Sequence, residues 1–236
     1  MRQIVLDTET TGLEPQRGHR IIELAALEIR DRRVTDGSFH RYLNPERESD
    51  EAALAVHGIS NEFLQDKPRF REVARDFLEF VSGAELIIHN ADFDVAFLDH
   101  ELALAGLDPL SRYCARVTDT LRMAKELRPG KRNNLDALCE HYQVDNSGRT
   151  LHGALLDARL LADVYLAMTR GQESLMIEDE EPVAGTAEPG SGRAPRPVRV
   201  IHASVEELAS HAACLEGLDR ESKGKCVWKR LEAGGG

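Results

Sequence analysis

The amino-acid sequence predicts an α/β fold, a mixed β-sheet flanked by helices, followed by a flexible linker and a small C-terminal segment. Three observations lead there. The chain opens on a compact apolar run, Ile4-Val5-Leu6, that ends in polar residues and Gly12, the pattern of a buried strand and a turn. Two β-compatible stretches then follow each other closely, as in a hairpin. After them, short apolar runs alternate with segments whose apolar residues recur every three or four positions. A meander of strands that gives way to alternating strands and helices makes a mixed sheet with helical layers.

Taken in order, Arg2 to Thr8 reads as a central strand, and Arg20 to Arg30 and Val34 to Leu43 read as an antiparallel pair joined at Asp31-Arg32-Arg33. Phe70, Val73, Ala74, Phe77, Leu78 and Val81 share one helical face. Glu85 to His89 is a short buried strand, and Phe93, Ala96, Phe97 and Leu104 mark the next amphipathic helix. Tyr113 to Asp119 is β-compatible, and Leu135-Asp-Ala-Leu138 starts a short helix. Leu155, Leu156, Leu160, Leu161, Val164 and Tyr165 form a wide apolar stripe that predicts a helix from Gly153 to Met168.

Composition shifts near Glu178, where four acids are followed by Pro182, Gly185, Pro189, Gly190, Gly192, Pro195 and Pro197, a linker over 178–197. Order is expected to resume at Val198-Arg-Val-Ile201, ahead of Ser204-Val-Glu-Glu207, which has the form of a helix capping box before Leu208, Ala212 and Leu215. The organisation is thus 1–177 as the main domain, 178–197 as linker, 198–231 as a small docking segment and 232–236 as a disordered tail.

Cys114, Cys139, Cys214 and Cys226 are far apart and lack metal-site spacing, which predicts reduced thiols. No apolar run approaches the roughly 20 residues of a membrane span, and the start has no signal-peptide pattern. A cytoplasmic protein is expected. The net charge of −11 argues against broad electrostatic adhesion to DNA, although a carboxylate cluster loaded with metal is locally cationic whatever the global charge.

Asp7 and Glu9 stand two apart on a strand, so both side chains face the same way where the strand emerges. Such a pair is either a solvated strand end or a site for a hard cation with oxygen ligands. Asp94 falls in the first turn of a helix just past Leu86-Ile-Ile88, while its neighbour Asp92 is suited to an N-cap or to solvent. Asp157 lies near the start of the most clearly marked helix, where it either complements the helix dipole or binds metal. His152 precedes that helix on a turn from which an imidazole can take a proton near neutral pH, unless it is simply an exposed loop residue.

Together, Asp7-x-Glu9, His89-Asn-Ala-Asp-Phe-Asp94 and His152-x-x-x-x-Asp157 resemble the histidine-type DEDD 3′→5′ exonucleases over about Arg2 to Leu175. The resemblance implies a ribonuclease H-like fold, and two divalent cations, Mg²⁺ or Mn²⁺, held by Asp7, Glu9, Asp94 and Asp157. It also implies His152 as general base and release of nucleoside 5′-monophosphates. By the same resemblance Thr10, Val56 and His57 receive the 3′-terminal nucleotide; Phe93 either stacks near its base or packs in the core, and His89 and Asn90 are read as bracing the acidic loop.

Across the whole chain the pattern resembles the proofreading subunits of bacterial replicative polymerases, which implies action on mispaired DNA 3′ ends. Gln172-Glu-Ser-Leu-Met-Ile177 resembles a sliding-clamp peptide, with Gln172, Leu175, Met176 and Ile177 as contacts. Residues 198–231 resemble the segment that docks on the polymerase catalytic subunit; Trp228, the chain's one tryptophan, is either an interface anchor there or the centre of a local miniature core, and a small stabilising subunit is a further partner left open. The alternatives are a general single-strand DNA or RNA exonuclease, or a catalytically idle replisome adaptor.

Overall fold

The computed structural model describes residues 2–170, 203–222, 226 and 228. The chain divides into two compact units, Met1–Asp179 and Glu180–Gly236. In the first, β1 (Gln3–Thr10), β2 (Ile21–Arg30), β3 (Arg33–Tyr42), β4 (Glu85–Ile88) and β5 (Arg116–Asp119) form one sheet in the order β3-β2-β1-β4-β5. β1 pairs antiparallel with β2 and parallel with β4, and β4 is parallel to β5.

This central place explains why Ile4, Val5 and Leu6 are all buried, since both faces of the sheet are covered. Alternate residues serve opposite cores. Ile4, Leu6, Leu86 and Ile88 pack with α3 (Phe70–Val81) and α4 (Ala91–Leu104), whereas Val5 and Ile87 pack with α6 (Leu135–Tyr142) and α7 (Ala154–Met168). Two short helices, α1 (Glu51–His57) and α2 (Asn61–Leu64), follow β3.

Several expectations shift in detail. The strand expected from Tyr113 begins only at Arg116, because a 3₁₀ turn at Leu110–Arg112 draws the Tyr113 N–H onto the Leu110 carbonyl at 2.9 Å. α5 (Thr120–Leu127) was not legible as a helix, yet Asp119 caps it by accepting from the Leu121 and Arg122 N–H groups. In α4 the inward face is Ala91, Asp94, Phe97, Leu98, Glu101 and Leu102, so Ala96 and Leu104 face solvent. Burying Glu101 is compensated by Arg20, whose guanidinium bonds both carboxylate oxygens at 2.7 Å.

In the second unit, α8 (Val205–Glu221) starts as the capping box predicts: the Glu207 N–H donates to Ser204 Oγ at 3.2 Å and the Ser204 N–H donates to Glu207 Oε2 at 2.8 Å. Leu215 and Cys226 are buried, whereas Leu208, Ala212 and Trp228 are exposed. The linker, Gln172 to Ile177, Val198 to Ile201 and the last residues lie outside the described residues. All four cysteines are free. No described helix is long and apolar enough to cross a membrane.

Candidate active site and metal centre

The parallel strands β1, β4 and β5 all end at one edge of the sheet, and the predicted acids gather there. Asp7 and Glu9 come from the end of β1, where a register shift between Glu9 and Thr10 bends the strand. Asp94 enters from the first turn of α4, where its Oδ1 accepts the Thr8 hydroxyl at 2.7 Å. Asp157 enters from the first turn of α7, and ligand atoms of Glu9, His152 and Asp157 all lie within 4.8 Å of one another. α4 is capped by Asn90, in the left-handed region at φ 64°, which leaves Asp92 as an exposed neighbour and not the N-cap.

Crowding these carboxylates away from water makes their charged forms costly. Burial, then the charge of Asp94, Glu9 and Asp157, pushes Asp7 well above the usual carboxylate range. Burial and the charge of Asp157 and Glu23 raise Glu9 to about 8. Burial raises Asp94 to about 7 against the lowering effect of the Thr8 hydrogen bond. A set of hard oxygen donors that repel one another fits a divalent cation of the Mg²⁺ or Mn²⁺ kind, which supplies the missing positive charge.

Two further residues, not found from the sequence, complete the electrostatics. Arg149 is nearly buried and bonds Asp157 through Nε and Nη2, both at 2.6 Å, with Nη1 on Asp136 at 2.6 Å and Nη2 on His152 Nδ1 at 3.0 Å. With Nδ1 accepting from a guanidinium, a neutral His152 ring carries its proton on Nε2. It can act as a base only when Arg149 turns away. Glu23 sits opposite Glu9 in the β1–β2 register, a like-charge pair that would ordinarily be unfavourable. Its oxygens are satisfied by His40 Nε2 at 2.8 Å and the Ala154 N–H at 3.0 Å, so Glu23 ties β2 to the start of the helix that carries Asp157.

Beside the acids lies a cavity of about 340 Å³ whose walls include Glu9, Thr10, Leu13, Val56, His57 and Phe93. The four residues expected around a terminal nucleotide thus share one wall system. His57 is buried, its Nδ1 accepts the Ile59 N–H at 2.9 Å, and its Nε2 has no partner, which leaves an unmet donor there. Burial lowers its pKa, in keeping with a neutral ring. The Thr10 hydroxyl donates to the Gly12 carbonyl at 2.7 Å and keeps its lone pairs available.

The turn geometry explains two glycines. A Cβ on Gly12 would meet the His19 ring at 2.3 Å, and Gly58 combines φ +68° with a Leu151 methyl 2.5 Å from where its Cβ would be. The His152 N–H donates to the Val56 carbonyl at 3.0 Å, so the cavity wall and the histidine turn are held together. His89 and Asn90 brace the loop as expected: His89 Nδ1 lies 3.0 Å from Thr120 Oγ1, and the Asn90 N–H donates to Asp119 at 3.2 Å.

The RNase T family model, described as an exonuclease, matches residues 4–165. The chain is 48% identical to the DNA polymerase III subunit epsilon of Escherichia coli, with 97% of each chain covered. It is 50% identical to that of Salmonella typhimurium at the same coverage. Among solved structures, Exonuclease X in complex with 5′ overhanging duplex DNA aligns at TM-score 0.58 and 23% identity over 72% of this chain and 93% of that one. The Escherichia coli Exonuclease I complex with single-stranded DNA, in its zinc-bound form, aligns at TM-score 0.64 and 18% identity over 73% and 41%. These two likenesses establish a common fold. The chain therefore belongs to the RNase T exonuclease family and, within it, to the epsilon proofreading subunits of DNA polymerase III.

Proposed function

We propose that this protein is a 3′→5′ DNA exonuclease that removes mispaired 3′-terminal nucleotides during replication and releases nucleoside 5′-monophosphates. The observation that carries the reading is the meeting of Asp7, Glu9, Asp94 and Asp157 at one sheet edge, with His152 alongside and a nucleotide-sized cavity beside them. In this reading the four carboxylates hold two divalent cations, Mg²⁺ or Mn²⁺. When bound, these supply Lewis-acid charge to the scissile phosphate and the leaving oxygen.

The chain's own residues do the rest. Thr10, Val56, His57 and Phe93 seat the terminal nucleotide, with the unpartnered His57 Nε2 as a donor to it. His152 takes the proton of the attacking water once its Nδ1 is free of Arg149. His152→Ala is expected to lower kcat by roughly 10²- to 10⁴-fold while leaving Mn²⁺ affinity nearly unchanged. If calorimetry instead shows the variant losing Mn²⁺ binding, His152 is a ligand and not the base.

Selectivity for errors arises partly from the DNA, since a mispaired end frays more readily into a single strand. The relatives named as polymerase subunits support a partnership with the polymerase catalytic subunit and, with it, a cytoplasmic protein that works at replicating DNA. Residues 198–231 are the proposed dock. Trp228, 65% exposed, is an aromatic anchor of the kind that dominates interfaces. Tethering raises the effective concentration of the 3′ end at an acidic nuclease that attracts DNA poorly on its own. Gln172, Leu175, Met176 and Ile177 are the proposed clamp contacts.

A chain ending at Glu181 should keep its activity on free single strands and fail to co-purify with the polymerase catalytic subunit. Retained co-purification would remove the docking role. The functional reading itself is tested by digesting paired and mispaired 3′ ends with and without polymerase. Faster loss of the mispaired nucleotide is expected, and equal rates would favour a general nuclease.

A further inference from the structure

The turn between α5 and α6 concentrates positive charge on a chain whose net charge is −11. From residue 120 to 132, five basic residues stand against one acid, Glu126, and that acid is 3.5 Å from Arg122. Arg128, Lys131 and Arg132 have no ion-pair partner among the described residues, and Arg128 Nη1 is buried without a hydrogen bond. Lys131 and Arg132 are exposed.

The turn is built and not merely loose. The buried Asn133 donates its side-chain amide to the carbonyls of Arg128 at 3.4 Å and Lys131 at 3.0 Å, and Gly130 takes φ +74°. A groove here is lined by Arg128, Lys131 and Arg132 together with Glu140 and His141. An unpaired cationic surface on an acidic protein needs a reason, because random placement would surround these groups with the abundant carboxylates.

Its position supplies one. The Asn133 backbone lies against His89, which leads directly into the helix that carries Asp94. Three residues after Asn133, Asp136 holds Arg149, which in turn holds Asp157. The turn is therefore fixed to the acidic centre from both sides. The nucleotide cavity is walled by the end of β1 and by α1, whereas the turn hangs through α5 from β5, two strands further along the same edge. A strand with its last nucleotide in the cavity and its scissile phosphate at the acids has its remaining phosphates to place.

We infer that Arg128, Lys131 and Arg132 form a phosphate-binding turn that holds the backbone of the substrate strand on the 5′ side of the scissile bond. Contacts of this kind position a strand without reading its bases and are displaced by salt through counterion release. They give an acidic enzyme a local grip on DNA that its overall charge denies it.

The inference rests on the exonuclease reading, and one experiment separates the two. The full chain, Lys131→Ala/Arg132→Ala and Lys131→Glu/Arg132→Glu would be compared on an oligothymidylate and on the p-nitrophenyl ester of thymidine 5′-monophosphate, which has no upstream phosphate. Each charge removed should raise the oligonucleotide KM about fivefold at 0.1 M salt and flatten the slope of log KM against log salt by about 0.7. The charge reversals should go further, and ester hydrolysis should not change. An unchanged KM and salt slope on the oligonucleotide would overturn the assignment, even if the variants lost polymerase association, since the turn would then serve a protein. Ester turnover falling in parallel would also overturn it, by showing that the turn shapes the catalytic centre. Failure of the unaltered protein to cleave the ester would instead count against the nuclease reading itself.

Discussion

Asp7→Asn is expected to lose turnover by at least roughly 10³-fold, because metal charge stabilisation is worth several kcal/mol of transition-state energy, and yet to become more stable in the presence of chelator. The two effects have one cause. Asp7 is half-buried and faces Asp94, Glu9, Asp157 and Glu23, so ionising it is opposed first by burial and then by four like charges. An amide of the same shape removes the repulsion and with it a ligand. Steady-state hydrolysis and thermal unfolding with and without Mg²⁺ check both halves. A variant that keeps its activity, or that is less stable than the parent in chelator, would show that Asp7 is not part of a charge-strained ligand set.

The metal-free protein should also lose stability steadily as pH rises from about 4 to about 8. Glu9 is raised from 4.5 to about 8 and Asp94 from 3.8 to about 7, so the folded state keeps protons that the unfolded chain has already released. Their contribution is fully present below the unfolded values and is gone once pH passes the folded ones. Each group therefore lowers stability as pH rises across its window. Glu28 works in the opposite sense, held to about 2 by hydrogen bonds from Arg2 and Thr35, but its window closes near 4.5. Divalent cation should flatten the slope, since it stabilises the charged carboxylates. Unfolding midpoints measured across this range in chelator and in millimolar Mg²⁺ make the comparison, and identical slopes would mean that the acids do not bind the ion.

The sheet was legible because its strands are marked by short apolar runs with turn residues at their ends, and the central place of β1 follows from Ile4-Val5-Leu6 being apolar on both faces. α5 was not legible, since its segment is only two turns long and half polar, and its start depends on Asp119 serving a strand end and a helix cap at once. The inward face of α4 departs from its apolar spacing for a related reason. Hydrophobic spacing assigns Glu101 to solvent, and only the partner Arg20, 81 positions away, makes its burial possible.

Each acid of the site occupied a recognisable local position, at a strand end or in a first helical turn, so the quartet was within reach of sequence reasoning. Arg149 and Glu23 were not. Their roles come from contacts across the fold, Arg149 with Asp136 and Asp157, and Glu23 with the first N–H of a helix 131 residues on. The signals are an arginine three residues before the histidine turn and an acid near the start of a mainly apolar strand. Neither reads as functional until the pairing register puts Glu23 beside Glu9.

The central claim is that these carboxylates serve metal-dependent removal of nucleotides from the 3′ end. It is tested most directly by a time course of the purified protein on an oligonucleotide labelled at its 5′ end, in Mg²⁺ and in chelator. The expected result is a ladder of labelled products shortened by one nucleotide at a time in Mg²⁺, and no cleavage in chelator. Early release of the labelled 5′ nucleotide, or undiminished cleavage in chelator, would contradict it.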